Sequence, residues 1–169
     1  MESLDNVKKH PDFSVSMSVY INDDSSHFKE SLMSLVNQTV KPSEIVLVID
    51  GPVNQSTHNV IDEFKKIYPN LILIELTENM GHAISRQHGI QSSSYNLVAL
   101  MDSDDISVSD RFEKQLKAFN IHPEIDVLGG QINEFIDFQE NIVGVRDVPL
   151  NDIDIKNYLK KRCPFNQMT

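Results

Sequence analysis

Ile45-Val46-Leu47-Val48-Ile49 runs directly into Asp50-Gly51-Pro52, and this stretch decides the fold. A continuous aliphatic run, mostly β-branched and closed by a turn signal, reads as a central parallel strand covered on both faces. Parallel neighbours need long crossovers, usually helices, so the flanking sequence should alternate between the two periods. It does. Upstream, Val15, Met17 and Val19 alternate with serines as a first strand that ends in the polar loop Tyr20-Ile21-Asn22-Asp23-Asp24. Ser25 or Ser26 is then placed to cap a helix carrying Phe28, Leu32, Leu35 and Val36 at helical spacing through Gln38, and Pro42 breaks it.

Downstream, Val60, Ile61, Phe64 and Ile67 mark a second helix, stopped by Pro69-Asn70. Leu71 to Leu76 is a third strand. A helix from His82 to Ile90 or Gln91 follows the loop Glu78-Asn79-Met80-Gly81. Leu97 to Met101 is a fourth strand. Ser107, with Asp110 three residues on, resembles a capping box opening a helix with Phe112, Leu116 and Phe119. Ile125 to Leu128 reads as a fifth strand closed by Gly129-Gly130. Gln131–Phe138 and Ile142–Val145 read as a strand pair, and Asn151–Arg162 as a helix. The alternation implies an α/β fold with a mostly parallel sheet and right-handed crossovers.

In such sheets ligands bind beyond the carboxyl ends of the strands. Tyr20–Asp24, Asp50-Gly51, Asn79–His82 and Asp102–Asp105 all fall there, so these polar loops should line one rim. The acidic stretch Met101-Asp102-Ser103-Asp104-Asp105 is the most pointed of them. Carboxylates emerging from a buried strand must be solvated, paired or bound to a cation. Two readings fit: a metal-assisted phosphate site, since Mg²⁺ is typically held by one or two carboxylates plus substrate phosphates, or a solvated acidic turn capping the next helix.

With 169 residues, 40% of them apolar, the chain has enough interior for one soluble globular domain. A formal net charge of −10 argues against non-specific nucleic-acid binding, which needs a basic face. A single cysteine, Cys163, excludes a disulfide framework and a Cys-rich zinc site, and fits a reducing cytosol. No apolar run is long enough to span a membrane, and Met1 to Asp12 lacks the apolar core of a signal peptide. Residues 1–12 are expected to be a flexible N-terminal segment.

Five blocks, in order, resemble family 2 inverting glycosyltransferases of the GT-A fold. They are Val15–Tyr20, Leu32–Thr39, Glu44–Gly51, Asn79-Met80-Gly81 with Arg86, and Met101–Asp105; Arg111–Gln115 fits as well. The resemblance covers roughly residues 13–130. It implies a UDP-sugar donor, with transfer by inversion to a saccharide or lipid-linked saccharide acceptor, as in surface polysaccharide assembly. It also implies a Mn²⁺ or Mg²⁺ cofactor. By resemblance Asp50 binds the uracil ring, and the backbone around Ser18, Val19 and Tyr20 lines the uridine pocket. Asp102 with Ser103 approaches the ribose, and Arg86 meets the base or a phosphate. Asp104, with Asp102 as a second candidate, holds the metal. Two departures stand out: relatives often carry two adjacent acids where this chain has Ile49-Asp50, and Pro52 replaces a common serine.

The family's general base lies well past the metal motif, and no residue here matches it; Asp147, Asp152 and Asp154 come too early. The expected organisation is a nucleotide-sugar-binding domain over 13–150, with 151–169 beginning an acceptor-side region that looks truncated. This chain is therefore expected to bind donor and metal but transfer sugar poorly. Asp105 is expected to be scaffold, facing Arg111. Asp23 and Asp24 sit on the rim with no assigned role, and His82, His88 and Cys163 are expected to be incidental. The competing functions are a non-catalytic nucleotide-sugar-binding module, a nucleotidyltransferase and an Asp-nucleophile phosphatase. The acidic loop after the first strand is wrong for holding a triphosphate, and the Asp-x-Asp follows the fourth strand where a phosphatase needs it after the first. The expected location is the cytoplasm, with the inner face of the cell membrane as the second candidate; the basic residues Lys156, Lys160, Lys161 and Arg162 read first as a solvated helix face and second as a contact to an anionic surface.

Overall fold

The computed structural model describes residues 10–169. The expected flexible segment at 1–12 thus lies mostly outside the described residues. The chain divides into two compact units, one running to Glu124 and the other from Ile125 to Thr169.

The first unit is the expected α/β sandwich. Its strands are β1 (Ser14–Val19), β2 (Glu44–Ile49), β3 (Leu71–Glu75) and β4 (Val98–Met101), in the order β3-β2-β1-β4 and all parallel. The helices between them are α1 (Ser25–Val36), α2 (Gln55–Ile67), α3 (His82–Gln91) and, after β4, α4 (Arg111–Ile121). Every residue of β2 is buried, as its aliphatic run requires of a central strand. Val15, Met17 and Val19 of β1 join Phe28, Leu32 and Leu35 of α1, Ile61 and Phe64 of α2, and Phe112 and Leu116 of α4 in one core.

The serines of β1 have a different reason. α3 packs on β1 and β2, and Gly89 of α3 sits so close that a Cβ there would lie 2.2 Å from Ser16 Oγ and 3.4 Å from Val48. Small residues on both sides let helix and sheet approach. The chain passes from β1 through β2 to β3 on one side, then returns to place β4 on the other side of β1. The carboxyl ends of β1 and β4 therefore flank a topological switch point, where such sheets form their ligand crevice.

Three local expectations are corrected. α1 is capped by Asp24, not by Ser25 or Ser26, because its carboxylate reaches the N–H groups of both Ser26 (2.8 Å) and His27 (3.2 Å). Ser107 does not cap α4. That helix starts after Asp110 with no side-chain cap, because Ser107 is buried one turn too early. Ile125–Leu128 forms no strand. The backbone that follows takes side-chain partners instead: Gly130 N–H donates to Thr169 Oγ1 (2.9 Å) and its carbonyl accepts from Asn166 Nδ2 (2.9 Å).

The second unit holds the expected hairpin, β5 (Ile132–Phe135) antiparallel to β6 (Ile142–Arg146), and α5 (Asp152–Leu159), capped by Asn151. It is thinly cored: α5 buries no residue, and Phe138, Leu150 and Ile153 are exposed. Among the described residues no helix is long and apolar enough to cross a membrane.

Candidate functional site

Four loops at the carboxyl ends of β1 to β4 enclose a cleft of about 420 Å³ in the first unit. Ser18, Val19, Tyr20 and Asp23 come from the end of β1, Asp50 from β2, Asn79, Gly81 and His82 from the loop after β3, and Asp102, Ser103 and Asp104 from β4. Of the residues expected at a nucleotide site, Ser18, Val19, Tyr20, Asp50, Asp102 and Ser103 line this cleft, as does Asp104. Arg86 stands one turn inside α3 and reaches the cleft through an ion pair between Nη2 and Asp102 Oδ1. Its guanidinium is thus engaged with Asp102 in this structure. His82 Nε2 stands 3.7 Å from the same oxygen.

Asp50 is buried, and its local role is a latch. Oδ1 accepts the N–H of Met80 at 2.7 Å and Oδ2 that of Gly81 at 3.1 Å. Gly51, at φ +79°, lets the turn press against the same loop; a Cβ there would meet Asn79 N at 2.6 Å. Each carboxylate oxygen keeps a second lone pair for a ligand.

The acids of the other two loops crowd together. Asp23 Oδ2 accepts from Ser103 Oγ at 2.7 Å and from Tyr20 N–H at 3.1 Å, tying the β1 loop to the acidic loop. Burial pushes its carboxyl above the usual range; those two hydrogen bonds oppose the shift, and the charges of Asp104 and Asp102 add to it. Asp104 itself is exposed at the mouth. Arg111 lies buried beneath, its guanidinium on the Leu100 carbonyl at 3.0 Å and over the Phe112 ring. Burial brings its pKa down to about 10, with Asp105 acting in the opposite sense.

Among the described residues no three His, Cys, Asp or Glu side chains are grouped to hold a metal by themselves. The donor set nevertheless suits a hard cation shared with a substrate. It offers Asp104 and Asp102 as oxygen donors on a mutually repelling acidic rim, leaving phosphate and water to complete the coordination.

Sequence reasoning left Asp23 unassigned and treated His82 as incidental. Both line the cleft. The signal for each was position alone, within the loops following β1 and β3.

Comparisons with known proteins agree with this architecture. A family model described as glycosyl transferase family 2 matches residues 14–167. An uncharacterized glycosyltransferase of Haemophilus influenzae is 43% identical over 93% of this chain and 58% of its own length. The Escherichia coli UDP-Gal:alpha-D-GlcNAc-diphosphoundecaprenol beta-1,3-galactosyltransferase is 34% identical over 92% of this chain and 56% of its own. The chain thus spans little more than half the length of these relatives. The mannosyltransferase PcManGT of Pyrobaculum calidifontis, solved in complex with GDP-Man and Mn²⁺, superposes with a TM-score of 0.58 at 20% identity. It covers 75% of this chain and 36% of that one. At that identity the likeness speaks for the fold alone.

Proposed function

The chain belongs to glycosyl transferase family 2, and from that premise we propose that its cleft binds a UDP-sugar and a divalent cation. The sugar would pass, with inversion, to a saccharide or lipid-linked saccharide acceptor in surface polysaccharide biosynthesis. One observation carries this reading: Asp50, the end of β1 and the Asp102–Asp104 loop converge on one cleft at the switch point of the sheet. The name of the Escherichia coli relative adds a UDP-sugar donor and a diphosphoundecaprenol-linked acceptor. The acidic rim favours a cation-mediated diphosphate over a bare anion.

In this reading the backbone at Ser18–Tyr20 cradles the uridine, and Asp50 accepts a hydrogen bond from the uracil imide. Asp102, with Ser103, meets the ribose, and Arg86 holds that carboxylate in place. Asp104, with Asp102, holds Mn²⁺ or Mg²⁺. Such a cation neutralises the charge that grows on the departing diphosphate, an effect worth several kcal/mol in metal-assisted transfer. Inverting transfer also needs a general base to take the acceptor's proton; we assign none. Residues 151–169 would begin the acceptor side.

Titration calorimetry of UDP, GDP and CDP, each with and without Mn²⁺, tests the proposal. A UDP preference that Mn²⁺ strengthens is expected. Equal binding of CDP, whose ring N3 accepts where uracil donates, would overturn the role of Asp50, and absence of a Mn²⁺ effect would overturn that of Asp104.

A further inference from the structure

The buried face of α1 carries an unexpected set of residues. Ser31 and Ser34 lie in α1, and Gln38 stands in the turn two residues past its last residue, Val36; at i, i+3 and i+7 they follow the stripe where a packed helix is ordinarily apolar. Ser31 and Gln38 are buried, so each polar atom needs a partner. Besides bonds among these three residues, those partners belong to one segment, the loop that leaves β4 and enters α4.

Ser31 Oγ donates to the carbonyl of Asp102 at 2.9 Å. Ser34 Oγ accepts the N–H of Ser107 at 3.1 Å. Gln38 Nε2 donates to the carbonyls of Ser107 (3.3 Å) and Val108 (2.8 Å), while its Oε1 accepts the N–H of Phe112 at 3.3 Å. α1 and the turn after it supply this loop with a ladder of hydrogen bonds. The first rung holds the backbone of an acid that lines the cleft; the last holds the start of α4.

We propose that Gln38 and Ser31 are positioning residues for the cation site, fixing the backbone of the acidic loop so that Asp104 and Asp102 present their carboxylates to a diphosphate-bound metal. The inference rests on the donor-site reading above. Neither side chain lines the cleft, so both act through the loop. A cation held by only one or two protein carboxylates is sensitive to their placement, because no surplus ligand compensates for a displaced one. Partners of this indirect kind typically change metal affinity by about 10- to 100-fold when lost.

The test compares wild type with Gln38→Met, which keeps the volume and removes both hydrogen-bonding functions, and with Ser31→Ala. Three quantities are read by calorimetry: affinity for uridine, affinity for UDP without metal, and the gain in UDP affinity on adding Mn²⁺. Backbone amide exchange at Ser107 and Phe112 is read alongside. The expected result is a Mn²⁺ gain reduced about tenfold in Gln38→Met and less in Ser31→Ala. Uridine affinity should stay unchanged, and exchange should be faster at Phe112 in Gln38→Met. A merely structural role would weaken uridine and metal-dependent binding together, and that outcome overturns the proposal. So does an unchanged Mn²⁺ gain in both variants. If Gln38→Met does not fold, Ser31→Ala decides alone. A wild type without any Mn²⁺ gain removes the donor-site reading instead, while the exchange rates still report whether α1 holds the loop.

Discussion

At the two ends of the parallel sheet, Glu44 and Asp23 meet opposite surroundings. At the amino end, Glu44 opens β2 with Oε1 accepting from Ser14 Oγ (2.7 Å) and Ser94 N–H (2.6 Å). Burial opposes its charge, yet these donors prevail and hold its carboxyl below the usual glutamate range. At the carboxyl end, Asp23 also has two donors, but burial and the charges of Asp104 and Asp102 leave its carboxyl above the usual range. The first acid is satisfied by the fold. The second stands among acids of the cleft, Asp104 and Asp102, of which Asp102 is paired with Arg86. A carboxylate thus serves as a structural pin at one edge and lines the cleft at the other.

The largest expected effect separates the ends by function. Asp104→Asn should cut the Mn²⁺-dependent gain in UDP affinity by about 100-fold, the loss of a direct cation ligand. Because Asp104 is exposed, its unfolding free energy should move by less than about 0.5 kcal/mol. Calorimetry and a urea melt on the same sample check both halves. Glu44→Ala should do the reverse. It strands the Ser94 N–H and the Ser14 hydroxyl and should cost about 1–3 kcal/mol in the melt, with UDP affinity unchanged. If Glu44→Ala weakened UDP binding as much as Asp104→Asn, the division between the ends would fail.

A smaller effect tests the helix that spans the two. α3 brings His82 and Arg86 to the carboxyl end and meets the sheet at Gly89. Gly89→Ala forces a Cβ against Ser16 Oγ; overpacking of that kind costs about 1–3 kcal/mol, and the helix propensity of alanine returns about 1. The net expectation is a loss of about 1 kcal/mol, restored by adding Ser16→Ala. A stability gain from Gly89→Ala alone would mean that the serine rotates away at no cost.

What could be read from the sequence follows the same boundary between local and distant partners. The strands β1 to β4 were legible because their apolar runs and turn residues are local signals, and the four rim loops followed from the topology. The family resemblance named Asp50, Asp102 and Asp104 before any geometry was known. The pairing of Arg86 with Asp102 was not legible, nor was the hold of Asp50 on the Met80–Gly81 backbone. Gln38 was read only as the end of a helix. Each of these bonds joins a side chain to a group 16 to 74 residues away, often a backbone atom that has no residue signature. The misplaced strand at Ile125–Leu128 and the capping box at Ser107 failed for the complementary reason. Both patterns were locally sound, but the backbone just beyond the first, at Gly130, is held by side chains and not by a strand, and Ser107 is buried.

The smallest effect is the most direct test of the contrast, because it reads opposite signs from one experiment. Glu44 has a lowered pKa in the fold, so its contribution to stability is present above its unfolded value and is lost as pH falls through the folded one. Asp23 has a raised pKa, so its contribution is present below its unfolded value and is lost as pH rises through the folded one. Across the acidic carboxylate range, the stability of wild type relative to Glu44→Gln should therefore rise with pH, while that relative to Asp23→Asn should fall. Both amides keep the size of the acid and an acceptor oxygen, so the pH slope reports charge more than packing. Urea melts at stepped pH, without metal, measure the two slopes. Asp23 is only half-buried, so solvent screens part of its contribution. Two slopes of the same sign would mean that Asp23 is as well satisfied as Glu44, and the contrast between the two ends would fail.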